Sequence, residues 1–206
     1  MLATGATGIP CARAEDFTDF PPVRLTDAKG VPLKAAAVTS QEAYVFHYPY
    51  RSLPCFLINL GKRAAASGGA GKGKNIVAYV AVCSHQLSFP EKELSVIRYT
   101  AKKSEFADPG MIVCCAHGSV FDPADGAKRL RGESSEPLVA VRLKHDPASD
   151  GLYATGLSGM DVIDRFYTIN KRRFIAEYGP GVYREAVGDS SPAILLSKHS
   201  ALISAC

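Results

Sequence analysis

Two short turns that each hold a cysteine and a histidine constrain the possible folds of this chain more than any other feature. Both are flanked by apolar residues, and the sequence has only six cysteines and five histidines to distribute. The two turns are VAVCSHQLSFP (80–90), with Cys83 and His85, and IVCCAHGSVFD (112–122), with Cys114 and His117. Apolar runs that lead into polar turns indicate strand ends, so we expect thiol and imidazole groups at the ends of two β-strands.

The spacing within the two turns indicates a metal centre. One turn reads Cys-x-His and the other reads Cys-x-x-His, so each turn offers a chelating pair. Two thiolates and two imidazoles suit either a tetrahedral zinc ion or an iron–sulfur centre. Zinc modules of the finger type pair cysteine with cysteine and histidine with histidine in separate turns. The mixed pairing favours a [2Fe–2S] cluster in which two sulfurs bind one iron and two imidazoles bind the other.

At these positions the chain resembles the Rieske iron–sulfur proteins, whose motif is Cys-x-His followed by Cys-x-x-His. The resemblance implies that Cys83 and Cys114 are the thiolate ligands, and His85 and His117 the imidazole ligands, of a Rieske-type [2Fe–2S] cluster. It also implies that Ser119, in the sequence HGS, donates a hydrogen bond to a cluster sulfur. The stretch FDPADG…RGESSEPL resembles the strand, turn and proline loop that cover the cluster in this family.

Outside the motif, the chain most resembles the soluble domain of archaeal-type respiratory members, with several departures. Those members usually bridge their two loops by a disulfide, but the corresponding positions here are Ser88 and Ala116, so we expect that bridge to be absent. Cys115 is one residue away and has no partner in the first loop. Phe121 stands in place of a tyrosine that donates to a ligand sulfur, and Gln86 stands in place of a leucine.

Strand-like runs and frequent turns dominate the rest of the chain. With 18 glycines, 13 prolines and no evident long amphipathic helix, the sequence predicts an all-β fold. We expect antiparallel sheets in a Rieske-like β sandwich with a small inserted cluster-binding lobe. The expected parts are a base domain that begins with residues 1–80, the [2Fe–2S] lobe at 81–136, and the rest of the base with a C-terminal extension at 137–206.

Two segments outside the motif have a less defined pattern. The tail from Met160 is compatible with a short helix or a strand, since Ile163, Phe166 and Ile169 could line one side of either. The glycine-rich, basic stretch 61–74 fits a mobile surface loop. A phosphate-binding loop is a weaker alternative, because no Lys-Ser or Lys-Thr closes the stretch.

The remaining cysteines and histidines do not indicate a second site. The isolated Cys11, Cys55 and Cys206 are expected to be buried small hydrophobes. An oxygenase catalytic subunit needs a mononuclear iron site of two histidines and a carboxylate, and no closely spaced pair of histidines exists outside the two turns. The other histidines are far apart in the sequence and are expected to be ordinary surface or core residues: His47, His145 and His199.

The charge pattern argues against a nucleic-acid partner. The net charge of +4 is scattered, and its only cluster, residues 171–173, has apolar and aromatic neighbours rather than a basic stripe around it. No apolar run is long enough for a membrane-spanning helix, and the N-terminus lacks the pattern of a signal peptide. We therefore expect either a soluble protein or a membrane-associated one whose anchor is absent from this chain.

The resemblance implies an electron carrier without an independent catalytic site. The expected function is electron transfer through the Rieske cluster from quinol to a cytochrome in a membrane respiratory complex, on the outer, extracytoplasmic face of the membrane. The expected partners are quinol and the cytochrome-containing subunits of that complex. The alternative is a soluble, cytoplasmic Rieske-type ferredoxin that delivers electrons to an oxygenase.

Overall fold

A computed structural model describes residues 17–206, so the expectation for Cys11 lies outside the described residues. In this part of the chain, strands account for most of the regular structure, and the expected all-β class is confirmed. The strands β1–β14 are, in chain order, Thr18–Thr26, Tyr44–His47, Pro54–Asn59, Ile76–Val80, Leu94–Ser95, Ile97–Thr100, Met111–Cys114, Ser119–Asp122, Lys128–Arg131, Ala140–Asp146, Gly151–Leu157, Ser190–Pro192, Ile194–Leu195 and Leu202–Ile203. The helices α1 and α2 are Met160–Tyr178 and Leu196–His199, and short 3₁₀ turns lie at Ala35–Ala37 and Val182–Arg184.

One large sheet forms the base of the molecule and curls until its edges almost meet. It contains eight strands in the order β12-β1-β11-β10-β4-β3-β2-β13. β12 pairs in parallel with β1 at one edge, and β13 pairs antiparallel with β2 at the other. Because Ala193 alone separates β12 from β13, a single segment bridges the two edges and nearly closes the sheet into a barrel.

The central strands β3 and β4 are buried on both faces. Successive side chains of a strand point to opposite faces, so Cys55 and Leu57 of β3 lie inside the barrel while Phe56 and Ile58 lie on its outer face. The residues of β4 alternate in the same way, and the outer-face residues form a second core with a smaller sheet. Burial on both sides explains why these two strands are continuous apolar runs in the sequence.

The smaller antiparallel sheet carries the second Cys/His turn. Its four strands lie in the order β6-β7-β8-β9. Cys114 at the end of β7 pairs with Ser119 at the start of β8, so residues 115–118 form the tip of this hairpin. The first Cys/His turn, residues 83–88, follows β4 of the large sheet.

The C-terminal extension contacts both parts of the molecule. β12 and β13 belong to the large sheet, whereas β14 pairs in parallel with β5, which lies between the two Cys/His turns in the chain. The division of the chain at residues 80 and 136 stays a prediction.

Of the two alternatives for the tail from Met160, the helix is the one that forms, and α1 is longer than expected because it runs for 19 residues along the base. Ile169, expected on the same side as Ile163 and Phe166, is 71% exposed. α1 follows Gly159 and has a polar outer side, so neither a capping side chain nor a continuous apolar stripe marks it in the sequence. Among residues 17–206, no helix has both the length and the apolar character that crossing a membrane requires. The buried side chains of α1 are Val162, Ile163, Phe166, Tyr167 and Phe174.

The glycine-rich stretch 61–74 is fastened to the smaller sheet. Arg63 donates two hydrogen bonds to the carboxylate of Asp122, at 2.6 and 2.9 Å. The Ala66 N–H donates to the Ala124 carbonyl at 2.8 Å. These contacts brace the smaller sheet and oppose the mobility that the composition of the stretch predicts.

The contact between α1 and the base provides a test of stability. Phe166 is fully buried and packs edge-on against Phe89 and Phe174, with ring centroids 5.2 and 5.3 Å apart. We expect Phe166→Ala to lower the free energy of unfolding by about 3–5 kcal/mol, because it removes buried apolar contacts and leaves a cavity. Ile169→Ala, on the exposed side of the same helix, is the control and should change this energy by less than about 0.5 kcal/mol. Equal effects in denaturant unfolding would contradict the described packing of α1.

Candidate metal centre

The first loop, residues 83–88, is closed by its own backbone and anchored by a buried leucine. The Leu87 N–H donates to the Cys83 carbonyl, and the Cys83 N–H donates to the Ser88 carbonyl, both at 2.8 Å. Leu87 adopts a φ of 56°, a left-handed conformation that is uncommon for residues other than glycine. Its buried side chain belongs to the core of the barrel, and this packing maintains the conformation. The turn that carries Cys83 is therefore held by both hydrogen bonding and packing.

The second loop, residues 115–118, is held by the backbone at Gly132, which packs directly against it. A Cβ at Gly132 would lie 2.3 Å from the Ser119 Cα and 2.6 Å from the Gly118 carbonyl oxygen, so glycine is required there. Gly132 also has a φ of 93°, which favours glycine. The segment that follows Gly132, residues 133–137, is called the cover loop below, and it begins directly against the second loop.

The two loops bring together the four residues of the motif. Cys83 and Cys114 are 2% and 1% exposed, and their thiols are hydrogen-bonded to each other. The rings of His85 and His117 are nearly perpendicular, with centroids 4.9 Å apart; His85 is half-buried and His117 is exposed. Thiol lies beside thiol and imidazole beside imidazole, as a two-iron centre with mixed ligands requires. The assignment of the four residues as ligands stays a prediction.

Hydrogen bonding gives the two thiols different acidities. The hydrogen bond from the Cys114 thiol lowers the pKa of Cys83 to about 7, against the opposing effect of burial. The backbone N–H groups of His85 and Gln86 and the Ser119 hydroxyl act in the same direction. The pKa of Cys114 is raised, first by its hydrogen bond to Cys83 and then by burial and by the charge of Cys83. Two adjacent buried thiolates repel each other, so the pair is suited to a metal ion that deprotonates both.

A buried imidazole nitrogen without a partner is an independent indication of a metal. Between residues 17 and 206, His85 Nδ1 is one of three buried side-chain polar atoms that make no hydrogen bond. Such an unsatisfied atom costs about 1–3 kcal/mol, and a metal bound to the nitrogen would remove that cost. No group of three or more histidine, cysteine or carboxylate side chains in the described chain could hold one ion.

Buried serines connect the two loops through the cover loop. The Ser134 N–H donates to Ser119 Oγ at 3.2 Å, and Ser134 Oγ lies 2.6 Å from Ser84 Oγ in the first loop. The Glu136 carbonyl oxygen lies 2.8 and 2.9 Å from the hydroxyls of Ser84 and Ser134, so one hydroxyl donates to this carbonyl while the other donates to its neighbouring hydroxyl. Because Ser119 Oγ accepts from Ser134, its own O–H can donate to Cys83. The role of Ser119 as a donor to a cluster sulfur stays a prediction.

A disulfide that the sequence does not indicate joins Cys115 of the second loop to Cys206. The expectation that Cys206 is an isolated buried hydrophobe is therefore wrong, and Cys115 has a covalent partner outside the first loop. Their sequence separation of 91 residues explains why no local pattern marks the pair. Cys55 is buried as expected, and its thiol donates to the Tyr48 carbonyl at 3.4 Å.

Two of the remaining histidines are closer in space than their sequence positions indicate. The rings of His47 and His199 lie 6.2 Å apart, whereas His145 pairs with Asp150 at 2.8 Å. Burial, together with the charges of His199 and Lys92, lowers the pKa of His47 to about 4. Burial also lowers the pKa of His199. Within residues 17–206, no third histidine, cysteine or carboxylate completes a metal-binding group with this pair.

The paired Cys/His loops on an all-β scaffold are an arrangement that this chain shares with Rieske-type proteins, which it resembles. No family model matches the sequence. The iodate reductase subunit IdrB of Denitromonas iodatirespirans is 27% identical over 142 residues, which cover 69% of this chain and 65% of that protein. The chain thus spans less than two thirds of the length of this curated relative. The soluble domain of the Rieske protein II (soxF) from Sulfolobus acidocaldarius is 25% identical, with a TM-score of 0.48 over 67% of this chain and 78% of that chain.

The Ser119 hydroxyl provides a test of this site. Ser119→Ala removes a donor to the ligand sulfurs, so the reduced, more negative form of a bound cluster should lose stabilisation. A hydrogen bond worth about 1 kcal/mol corresponds to a fall of roughly 40 mV in the midpoint potential of a one-electron couple. Ser135→Ala, at an exposed position of the cover loop, is the matched control and should leave the potential unchanged. Equal potentials for the two variants in a redox titration would rule out the proposed donor.

Proposed function

We propose that this chain is a one-electron carrier that binds a Rieske-type [2Fe–2S] cluster through Cys83, His85, Cys114 and His117. The observation that carries the proposal is the meeting of a buried thiol pair and a more exposed imidazole pair at the tips of two loops. The unpartnered Nδ1 of His85 supplies a ligand atom on the imidazole side. When bound, such a cluster takes up and releases one electron at roughly −150 to +300 mV, against about −400 mV for plant-type clusters with four cysteines.

The residues around the centre insulate one side and leave the other accessible. Around the thiols, burial excludes water, and backbone N–H groups of both loops donate to the sulfurs, where added negative charge would collect. His117 is exposed, so its ring edge is the point at which a partner reaches the centre most directly. This arrangement supports a role as an electron-transfer subunit, with the substrate chemistry taking place on a partner.

We infer that the electron donor is a quinol and that the acceptor is a cytochrome-containing subunit of a membrane respiratory complex. The exposed imidazole of His117 supports this inference, because an imidazole N–H can donate a hydrogen bond to a quinol oxygen. The alternative from the sequence, a soluble Rieske-type ferredoxin that serves an oxygenase, would use the same exposed edge.

A second candidate function follows from the likeness to IdrB. Because IdrB is a subunit of an iodate reductase, the 27% identity supports a role as the electron-transfer subunit of a multisubunit reductase. In that role the chain would exchange electrons with another subunit, and no quinol would need to reach His117. The two candidates share the metal centre and differ in the partner.

We propose a location on the extracytoplasmic side of a membrane, with attachment through a segment or partner outside this chain. The Cys115–Cys206 disulfide supports this location, because structural disulfides persist in oxidising compartments and are rare in the cytosol. In the cytoplasmic alternative, both cysteines would be free thiols in the cell.

The metal content and the ligand set can be tested together. Protein purified without oxygen should contain two irons and two acid-labile sulfides per chain, and its reduced form should give the spin-resonance signal of mixed nitrogen and sulfur ligation. His117→Cys should lower the midpoint potential by more than about 100 mV, because a charged thiolate replaces a neutral imidazole. His145→Cys, outside both loops, is the control and should leave the potential unchanged. Stoichiometric zinc without sulfide would overturn the proposal.

A soluble quinol distinguishes the two candidate functions. Decylubiquinol should reduce the oxidised, loaded protein, with bleaching of its visible absorption. His117→Cys should prevent this reduction, because the lower potential of the variant makes electron transfer from the quinol unfavourable. A loaded wild-type protein that dithionite reduces but decylubiquinol does not would favour the reductase-subunit candidate.

A further inference from the structure

The C-terminal segment 200–206 runs beside the chain that leaves the first loop. It lies parallel to residues 91–96, with Leu202 opposite Leu94. Four hydrogen bonds hold the segment in this position. The Ser200 hydroxyl donates to the Glu91 carbonyl at 2.6 Å. The other three are backbone bonds, from the Ala201 N–H to the Lys92 carbonyl at 2.7 Å, from Leu202 to Glu93 at 3.0 Å and from Ser204 to Ser95 at 2.8 Å.

Residues 91–96 are themselves fixed to the base. Phe89, just before this stretch, packs against Phe166 of α1 at 5.2 Å. Arg173 of α1 donates to the Glu91 carboxylate at 2.5 Å. The partner strand of the C-terminal segment is therefore a firm support rather than a free loop.

The other end of the segment reaches the second loop through the Cys115–Cys206 disulfide. Cys115 follows Cys114 directly and lies two residues before His117. The Cys115 N–H also donates to the Val96 carbonyl at 2.7 Å. Ala116 and His117 are exposed, so packing contributes little to their position. The disulfide and the backbone hydrogen bond of Cys115 are therefore the main restraints on these two residues.

We propose that segment 200–206, closed by the Cys115–Cys206 disulfide, is a clamp that fixes the second loop, and with it the His117 imidazole, in place beside the first loop. Cys115 and Cys206 are positioning residues in this arrangement. The clamp is a property of the metal-free protein, and its effect on the cluster rests on the proposed function. Cutting the disulfide restores the conformational freedom of the loop and removes a covalent restraint next to Cys114.

A dithiol reductant opens the clamp by a balanced exchange. One thiolate of the reductant attacks a sulfur of the disulfide and forms a mixed disulfide, which the second thiolate of the reductant then resolves. The Cys115–Cys206 bond breaks, both sulfurs end as thiols, and the reductant closes to its own cyclic disulfide. Two electrons and two protons pass from the dithiol to the protein, and reoxidation reverses the change.

Amide hydrogen exchange in the full-length, metal-free protein tests the clamp directly. Peptide mapping of the air-oxidised protein should first recover residues 115 and 206 in one disulfide-linked fragment. We expect exchange at residues 115–118 to accelerate at least about tenfold in Cys115→Ser, in Cys206→Ser, in the double variant and in dithiol-treated wild type. The double variant should equal each single variant, because all three break the same bond. Exchange in β4 should stay unchanged.

The same variants, loaded with iron and sulfide, give the second measurement. Cys206→Ser should broaden or shift the spin-resonance signal of the reduced cluster relative to wild type, because His117 loses its fixed position. Dithiol treatment of the metal-free double variant is the control and should change no exchange rate.

Three results would overturn the clamp: free thiols at both positions in the oxidised protein, unchanged exchange at 115–118, or unequal effects of the two single variants. If exchange responds as expected but the protein holds no cluster, the clamp stands and the proposed function fails. If a normal cluster forms in Cys206→Ser and exchange is unchanged, the proposed function stands and the clamp fails.

Discussion

The packing of the smaller sheet against the outer face of the barrel decides where the candidate metal centre lies. Phe56 and Tyr79 of the large sheet contribute to this shared core, and Cys83 and Cys114 belong to the same cluster of buried residues. The burial of apolar surface that joins the two sheets therefore also brings the two thiols into contact. Tyr79 adds a direct link across the junction, since its hydroxyl donates to the Pro123 carbonyl at 2.8 Å.

The surroundings of the candidate metal centre differ from its inner to its outer side. Apolar side chains surround the thiols, hydrogen-bonded serines lie next to them, and the His117 ring is exposed to solvent. The serine network of the cover loop leaves its hydroxyls paired, which a buried polar network requires if it is to stabilise the fold. Gly132 permits the cover loop to touch the second loop, and Arg165 of α1 binds the Glu136 carboxylate at 2.7 Å from outside. His117 lies at the exposed tip of the loop that the cover loop contacts.

The sequence was most informative where the decisive residues are neighbours in the chain. The strands β4 and β7 follow from the apolar runs that lead into the two Cys/His turns, and their existence is confirmed. The sequence left helix and strand open for α1, because its buried positions are interrupted by charged residues and its N-terminal neighbour is Gly159; tertiary packing rather than local signals selects the helix. The contact between His47 and His199 was missed because no local pattern reports a long-range pairing.

The sequence by itself determined that Cys83 and His85, and separately Cys114 and His117, lie within reach of one another, because chain connectivity keeps residues two or three positions apart close in any turn. Only the tertiary structure decided that the two pairs face each other with sulfur buried and imidazole accessible, and that Cys206 returns to Cys115. Those arrangements depend on how the two sheets pack and on the pairing of β14 with β5. Contacts between residues far apart in the sequence close long loops, which costs conformational entropy. Whether such a contact forms therefore depends on the stability of the whole fold, and a local segment does not determine it.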